Sequence, residues 1–81
     1  MKEESFGMML RNLRAEKKLS QFQLGKLIGV SDKAISKWEN DYAKPKAISI
    51  VRMSEVFSVD LGDLMKKLSV TSAKRRDSHE K

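Results

Sequence analysis

Asp32, Lys33, Ser36, Lys37 and Asn40 follow one another at offsets of 0, 1, 4, 5 and 8, the spacing that lines side chains along one face of a helix. Each of them can donate or accept a hydrogen bond. None pairs with another as nucleophile and base, so the chemistry they offer is recognition, the matching of donors and acceptors on a partner. For an isolated helix the ordinary reading of such a stripe is a solvated amphipathic face. A short polar helix held out from a small domain has a second use: it fits the major groove of DNA, where base edges present donors and acceptors.

Nothing else in the 81 residues assembles a reaction centre. Cysteine is absent, which excludes disulfides, Cys-ligated zinc and thiol catalysis. No glycine-rich loop precedes a Lys and a Ser or Thr, no two histidines stand at ligand spacing, and His79 lies alone near the C-terminus. No catalytic role, metal or cofactor is therefore expected. The carboxylate pairs Glu3-Glu4 and Asp60-x-x-Asp63 are accounted for by helix N-termini, which favour negative charge. With 40% apolar and 35% charged residues, the chain is globular in composition and has room for one small core. Its longest apolar run, Met8-Met9-Leu10, is far below the roughly 18 residues of a membrane span. No membrane partner is expected, and the composition predicts a soluble, cytoplasmic protein. The net charge of +6 is unevenly placed: residues 66–81 hold six basic and two acidic side chains, leaving 11 basic and nine acidic in the first 65. Overall basicity is thus weak support for a nucleic-acid partner.

The elements that must hold the polar stripe are legible from their caps. Phe6, Met9, Leu10 and Leu13 fall at helical spacing and predict a first helix over Phe6 to Lys17, with Glu3 and Glu4 at its start. Ser20-x-x-Gln23 is a capping box flanked by the staple Leu19 and Leu24. It opens a second helix from Gln21 to Ile28 that buries Leu24, Leu27 and Ile28 and stops at Gly29. Ser31 caps the third helix, with Val30 and Ile35 as staple and with Ile35 and Trp38 on its inner face. After Pro45, the residues Ala47, Ile50, Val51, Ser54 and Phe57 predict the apolar stripe of a fourth helix, small Ala47 and Ser54 allowing close approach. Asp60, between Val59 and Leu64, caps a fifth helix with Leu61, Leu64, Met65 and Leu68. Met8, Met9, Met53 and Met65 read as core filler. The short turn at Gly29 forces its two helices to cross steeply, which is helix-turn-helix geometry.

The run QFQLGKLIGVSDKAISKWEN, Gln21 to Asn40, closely resembles the phage-repressor and Cro-like helix-turn-helix family of DNA-binding domains. The likeness lies in Gly25 at the helix contact, Leu24 and Ile28 inside, Gly29 in the turn, Val30 after it, and Ile35 with Trp38 on the inner face. It extends to Leu10-Arg11-x-Leu13-Arg14 and to Met53 through Met65, and so covers roughly Phe6 to Met65. The resemblance implies an all-α, compact five-helix bundle that binds operator DNA as a dimer and regulates transcription, chiefly as a repressor. Residue by residue it implies base readout by Ser31, Asp32, Lys33, Ser36 and Lys37. Phosphate contacts are implied for Ser20, Gln21, Asn40, Lys44 and Lys46, and a structural ion pair for Arg14 and Glu39. The chain departs from the family after Glu39-Asn40, where Gly is usual and Asp41-Tyr42 stands instead. A carboxylate at that point is expected to sit close to the DNA backbone, against the phosphate contact otherwise expected from the loop between the third and fourth helices.

On this reading residues 1–68 form the helix-turn-helix domain. Residues 69–81, with the cluster Lys74-Arg75-Arg76, form a polar basic tail that is disordered or a linker, which leaves room for a further C-terminal domain. Homodimerisation on DNA is expected through the segment Phe57 to Asp63 and exposed apolar residues of the last two helices. Two other functions stay open: an antitoxin that binds DNA together with a toxin, and a protein-interaction module without DNA binding. The module predicts an affinity that barely changes with salt.

Overall fold

The computed structural model describes residues 4–71, and these form five helices with no strand among them. They are α1 (Phe6–Glu16), α2 (Gln21–Ile28), α3 (Asp32–Glu39), α4 (Ala47–Phe57) and α5 (Leu61–Ser69). The all-α class and the five-helix order agree with the expectation.

Four of the five helices, all but α4, begin where a side chain takes up an otherwise unpaired backbone N–H. The Ser20 hydroxyl accepts from the Gln23 amide at 3.0 Å while the Gln23 side chain accepts from the Ser20 amide at 2.8 Å, so the capping box of α2 is complete. Ser31 accepts from the Ala34 amide at 3.1 Å, and Asp60 from the Asp63 amide at 3.1 Å. α1 starts at Phe6 as expected, and its cap is Ser5, which accepts from the Met8 amide at 3.1 Å; Glu4 stands just ahead of that cap, while Glu3 lies outside the described residues. The Glu4 carboxylate accepts from the Asn12 side chain at 2.7 Å.

The turn between α2 and α3 requires a backbone that an L side chain adopts at a cost. Gly29 has φ +80° and donates to the Gly25 carbonyl at 2.7 Å, which the Val30 amide shares at 2.9 Å. Arg52 on α4 donates to the Ile28 carbonyl at 3.0 Å, so the last turn of α2 is also held from behind.

The core takes Phe6 and Leu10 from α1, Leu24 and Ile28 from α2, Ile35 and Trp38 from α3, Ile50, Met53 and Phe57 from α4, and Leu64 from α5. The staple residues Leu19, Val30 and Val59 pack against it. Several expected members lie outside. Met8, Leu27 and Met65 are exposed, as are Val51 and Ala47. At about 100° per residue, Leu24, Ile28 and Gly25 span one arc of α2, and Leu27 falls beyond its edge. The buried arc of α4 runs through Ser49, Met53, Phe57 and Ile50, rotated away from Ala47 and Val51. Met8 points opposite to Phe6 and Leu10 for the same reason. Of the four methionines expected inside, Met53 is buried and Met9 packs against the core.

Order reaches beyond residue 68: Thr71 accepts from the Phe6 amide at 3.0 Å and donates to the Lys67 carbonyl at 2.9 Å, which joins the end of α5 to the start of α1. The cluster Lys74-Arg75-Arg76 and His79 lie outside the described residues.

At Gly7 the backbone of α1 runs close against the end of α3. A Cβ there would stand 2.6 Å from the Trp38 carbonyl, 2.7 Å from an Asp41 carboxylate oxygen, and against the Glu39 carbonyl. Two of these are backbone atoms that cannot swing aside. Gly7→Ala is expected to cost about 1–3 kcal/mol, the scale of overpacking a tight contact, and therefore to lower Tm by at least about 5 °C in a domain of this size. Thermal unfolding followed by circular dichroism checks this, and an unchanged Tm would contradict it.

Candidate nucleic-acid interface

α3 turns two unlike faces outward and inward. Ile35 and Trp38 are buried, whereas Asp32, Lys33 and Lys37 are exposed and Ser36 and Asn40 are half-buried along the outer edge. Trp38 is thus a core residue, and the polar stripe is assembled on one side as its spacing predicts. Ser31 uses its oxygen as the cap of α3 and keeps its own O–H to donate. Ser20 is in the same position at the start of α2.

What fixes the angle of this face is a buried carboxylate. Glu39, 2% exposed, accepts from Arg14 twice, Nε at 2.5 Å and Nη2 at 3.0 Å, and from Gln21 Nε2 at 3.0 Å. The remaining Arg14 nitrogen, Nη1, donates to the Leu19 carbonyl at 2.9 Å. One side chain therefore joins α1, the segment leading into α2, and α3. The hydrogen bonds it donates to Glu39 hold the Arg14 guanidinium above the usual arginine range; burial works against this, and the charge of Glu39 adds to it. The expected pair Arg14 and Glu39 is present, and the site also recruits Gln21. That amide, read as a phosphate donor, spends one N–H on Glu39 and retains the other.

The connection from α3 to α4 carries Asn40, Lys44 and Lys46. Asn40 closes α3, its side-chain Nδ2 donating to the Ser36 carbonyl at 2.9 Å. Lys44 and Lys46 are exposed. Asp41 is 9% exposed, takes φ +61°, and accepts from the Gly7 amide at 2.9 Å. The positive φ is the conformation for which glycine is usual at this place, and Asp tolerates it better than most residues. The carboxylate satisfies a first-turn N–H of α1 rather than standing free toward a bound backbone. No local pattern signals this contact, because the two partners are 34 residues apart.

Two further side chains escaped the sequence reading. Arg52 grips the end of α2 from α4. Arg11 reaches from α1 to the end of α3, where Nη2 donates to Asn40 Oδ1 at 3.3 Å and Nε stands 3.6 Å from Glu39. Among the described residues no group of His, Cys, Asp or Glu is arranged to hold a metal, and no helix is long and apolar enough to cross a membrane.

Comparison with known proteins agrees with this geometry. A family model described as helix-turn-helix matches residues 10–64. The chain is 32% identical over 81 residues to repressor protein C2 of Salmonella phage P22, a match that takes in 99% of this chain and 38% of the relative. It is 40% identical over 60 residues to the HTH-type transcriptional activator BcrR of Enterococcus faecalis, taking in 74% of this chain and 29% of that protein. The crystal structure of the P22 c2 repressor in complex with a synthetic operator is similar with a TM-score of 0.73 at 31% identity, covering 76% of this chain and 94% of that one. The chain spans less than half the length of the curated relatives it matches.

Proposed function

The chain belongs to the helix-turn-helix family, and from that premise we propose that it binds an operator in double-stranded DNA and represses transcription by occupying it. The observation that carries the proposal is the exposed polar face of α3, held in one orientation from behind by the Glu39 network. In this reading α3 lies in the major groove. Lys33 and Lys37 have the chemistry to donate to guanine O6 and N7, Asp32 to accept from a cytosine amino group, and Ser31 and Ser36 to meet either. Ser20, the free N–H of Gln21, Asn40, Lys44 and Lys46 flank that face and contact phosphates. The similarity to a repressor solved on its operator supports the same docking.

Assembly follows from size. An α3 of eight residues reaches about 4 or 5 base pairs, too few to mark a site in a genome, so two copies bind a two-fold site with half-sites roughly 34 Å apart. The surface for pairing is the stretch from Phe57 to Asp63 with exposed Leu61 and Met65 on α5. A patch of this extent is small, so the free chain is monomeric at micromolar concentration and pairs cooperatively on DNA.

Binding to duplex DNA measured over a salt series tests the function. The proposal predicts log affinity falling steeply and linearly with log salt, about 0.9 for each phosphate contacted, with footprinting protecting two half-sites. An affinity indifferent to salt would overturn it in favour of a protein-binding module. Occupancy by one chain at one half-site without cooperativity would overturn the paired assembly.

A further inference from the structure

Glu39 is satisfied without Arg11. Arg14 binds it through two nitrogens and Gln21 through a third, while Arg11 Nε, at 3.6 Å, is beyond hydrogen-bonding distance. Two arginines thus face one carboxylate, and the cluster keeps one surplus positive charge. The surplus is on the outer member: the Arg11 side chain is 50% exposed against 19% for Arg14. An exposed pair of this kind adds little to the fold.

The surplus charge is aimed along the polar face of α3. Arg11 Nη2 donates to Asn40 Oδ1 at 3.3 Å, and Asn40 is in turn held to that face by its Nδ2 bond to the Ser36 carbonyl at 2.9 Å. Asn40 has therefore committed its oxygen and one of its two N–H groups. Arg11 has five N–H donors and commits one to Asn40, and among the described residues no other hydrogen bond from it is formed. An anion at this end of α3 meets the unpaired carbonyls of a helix C-terminus and the nearby Glu39, both unfavourable, so a cation is needed there.

We infer that Arg11 is a DNA-phosphate ligand of this interface, seated on α1 outside the helix-turn-helix, and that Asn40 positions it. The inference rests on the DNA-binding reading above. The planar guanidinium presents paired N–H groups to phosphate oxygens, a geometry a lysine point charge does not reproduce.

Binding of the full chain to two duplexes tests it, one carrying the site the wild type selects and one of random sequence, each from about 50 to 200 mM salt. Arg11→Ala is expected to weaken both duplexes alike and to make the slope of log affinity against log salt shallower by about one contact, so that its deficit relative to wild type shrinks about threefold over that range. Arg11→Lys is expected to keep the slope and recover only part of the affinity. Asn40→Ala is expected to cost clearly less in an Arg11→Ala background than in the wild type, the difference being what Asn40 does through Arg11 and the remainder its own phosphate contact, and equal costs in the two backgrounds would overturn the positioning role. Wild-type binding with a steep slope that Arg11→Ala leaves unchanged would overturn the inference and leave the DNA reading standing. A loss confined to one base position, or an Arg11→Ala protein whose urea midpoint falls as far as that of Glu39→Gln, would overturn it as well. A wild type that binds neither duplex would overturn both.

Discussion

Glu39→Gln is expected to cost about 3 kcal/mol or more, because it leaves the Arg14 guanidinium largely buried without its carboxylate. For a chain of 81 residues, with a stability of about 4–12 kcal/mol at the usual 0.05–0.15 per residue, that is a large part of the whole. Replacing both partners is milder: Arg14→Met with a small apolar residue at position 39 removes the unpaired charge and is expected to recover part of the loss. The cycle, measured by urea unfolding, must therefore be strongly non-additive, and additive costs would contradict the contact. Its pH dependence has a definite sign. Because the folded state holds Arg14 above the usual arginine range, the contribution of that group is fully present below the ordinary arginine value. It is lost only as pH rises through the higher folded value, so Arg14 adds no slope to stability near neutral pH.

The second large effect is on binding. Lys33→Ala and Lys37→Ala are each expected to lower specific affinity by about 1–3 kcal/mol, roughly 5- to 150-fold, and to relax preference at one position of the half-site. Both lysines are exposed, so the fold should tolerate either change. Weakening that is uniform over all sequences would make that lysine a phosphate contact. A double variant that binds like the wild type would remove α3 from the interface.

These two effects divide the molecule in the way the sequence could and could not disclose. Local signals were readable: Ser20 with Gln23, Ser31, Asp60 and Gly29 act within four residues of themselves, and each stands where its type and spacing put it. The outer stripe of α3 was readable for the same reason. Which apolar residues reach the core was less so, since α2 and α3 have only eight residues each and bury a narrow arc. Leu27 beside the arc of α2, and Val51 beside the buried arc of the longer α4, have the right type and lie one step outside. Least readable were partnerships across the chain. Asp41 and Gly7, Arg52 and Ile28, and Arg11 and Asn40 meet only after folding, and each helps set the end or the turn from which α3 is presented.

If two copies of α3 read a two-fold DNA site, selection from randomised duplexes followed by sequencing will enrich a palindrome whose half-sites are each about 4 or 5 base pairs and lie roughly 34 Å apart, centre to centre. Recovery of duplexes with no enriched sequence would contradict it.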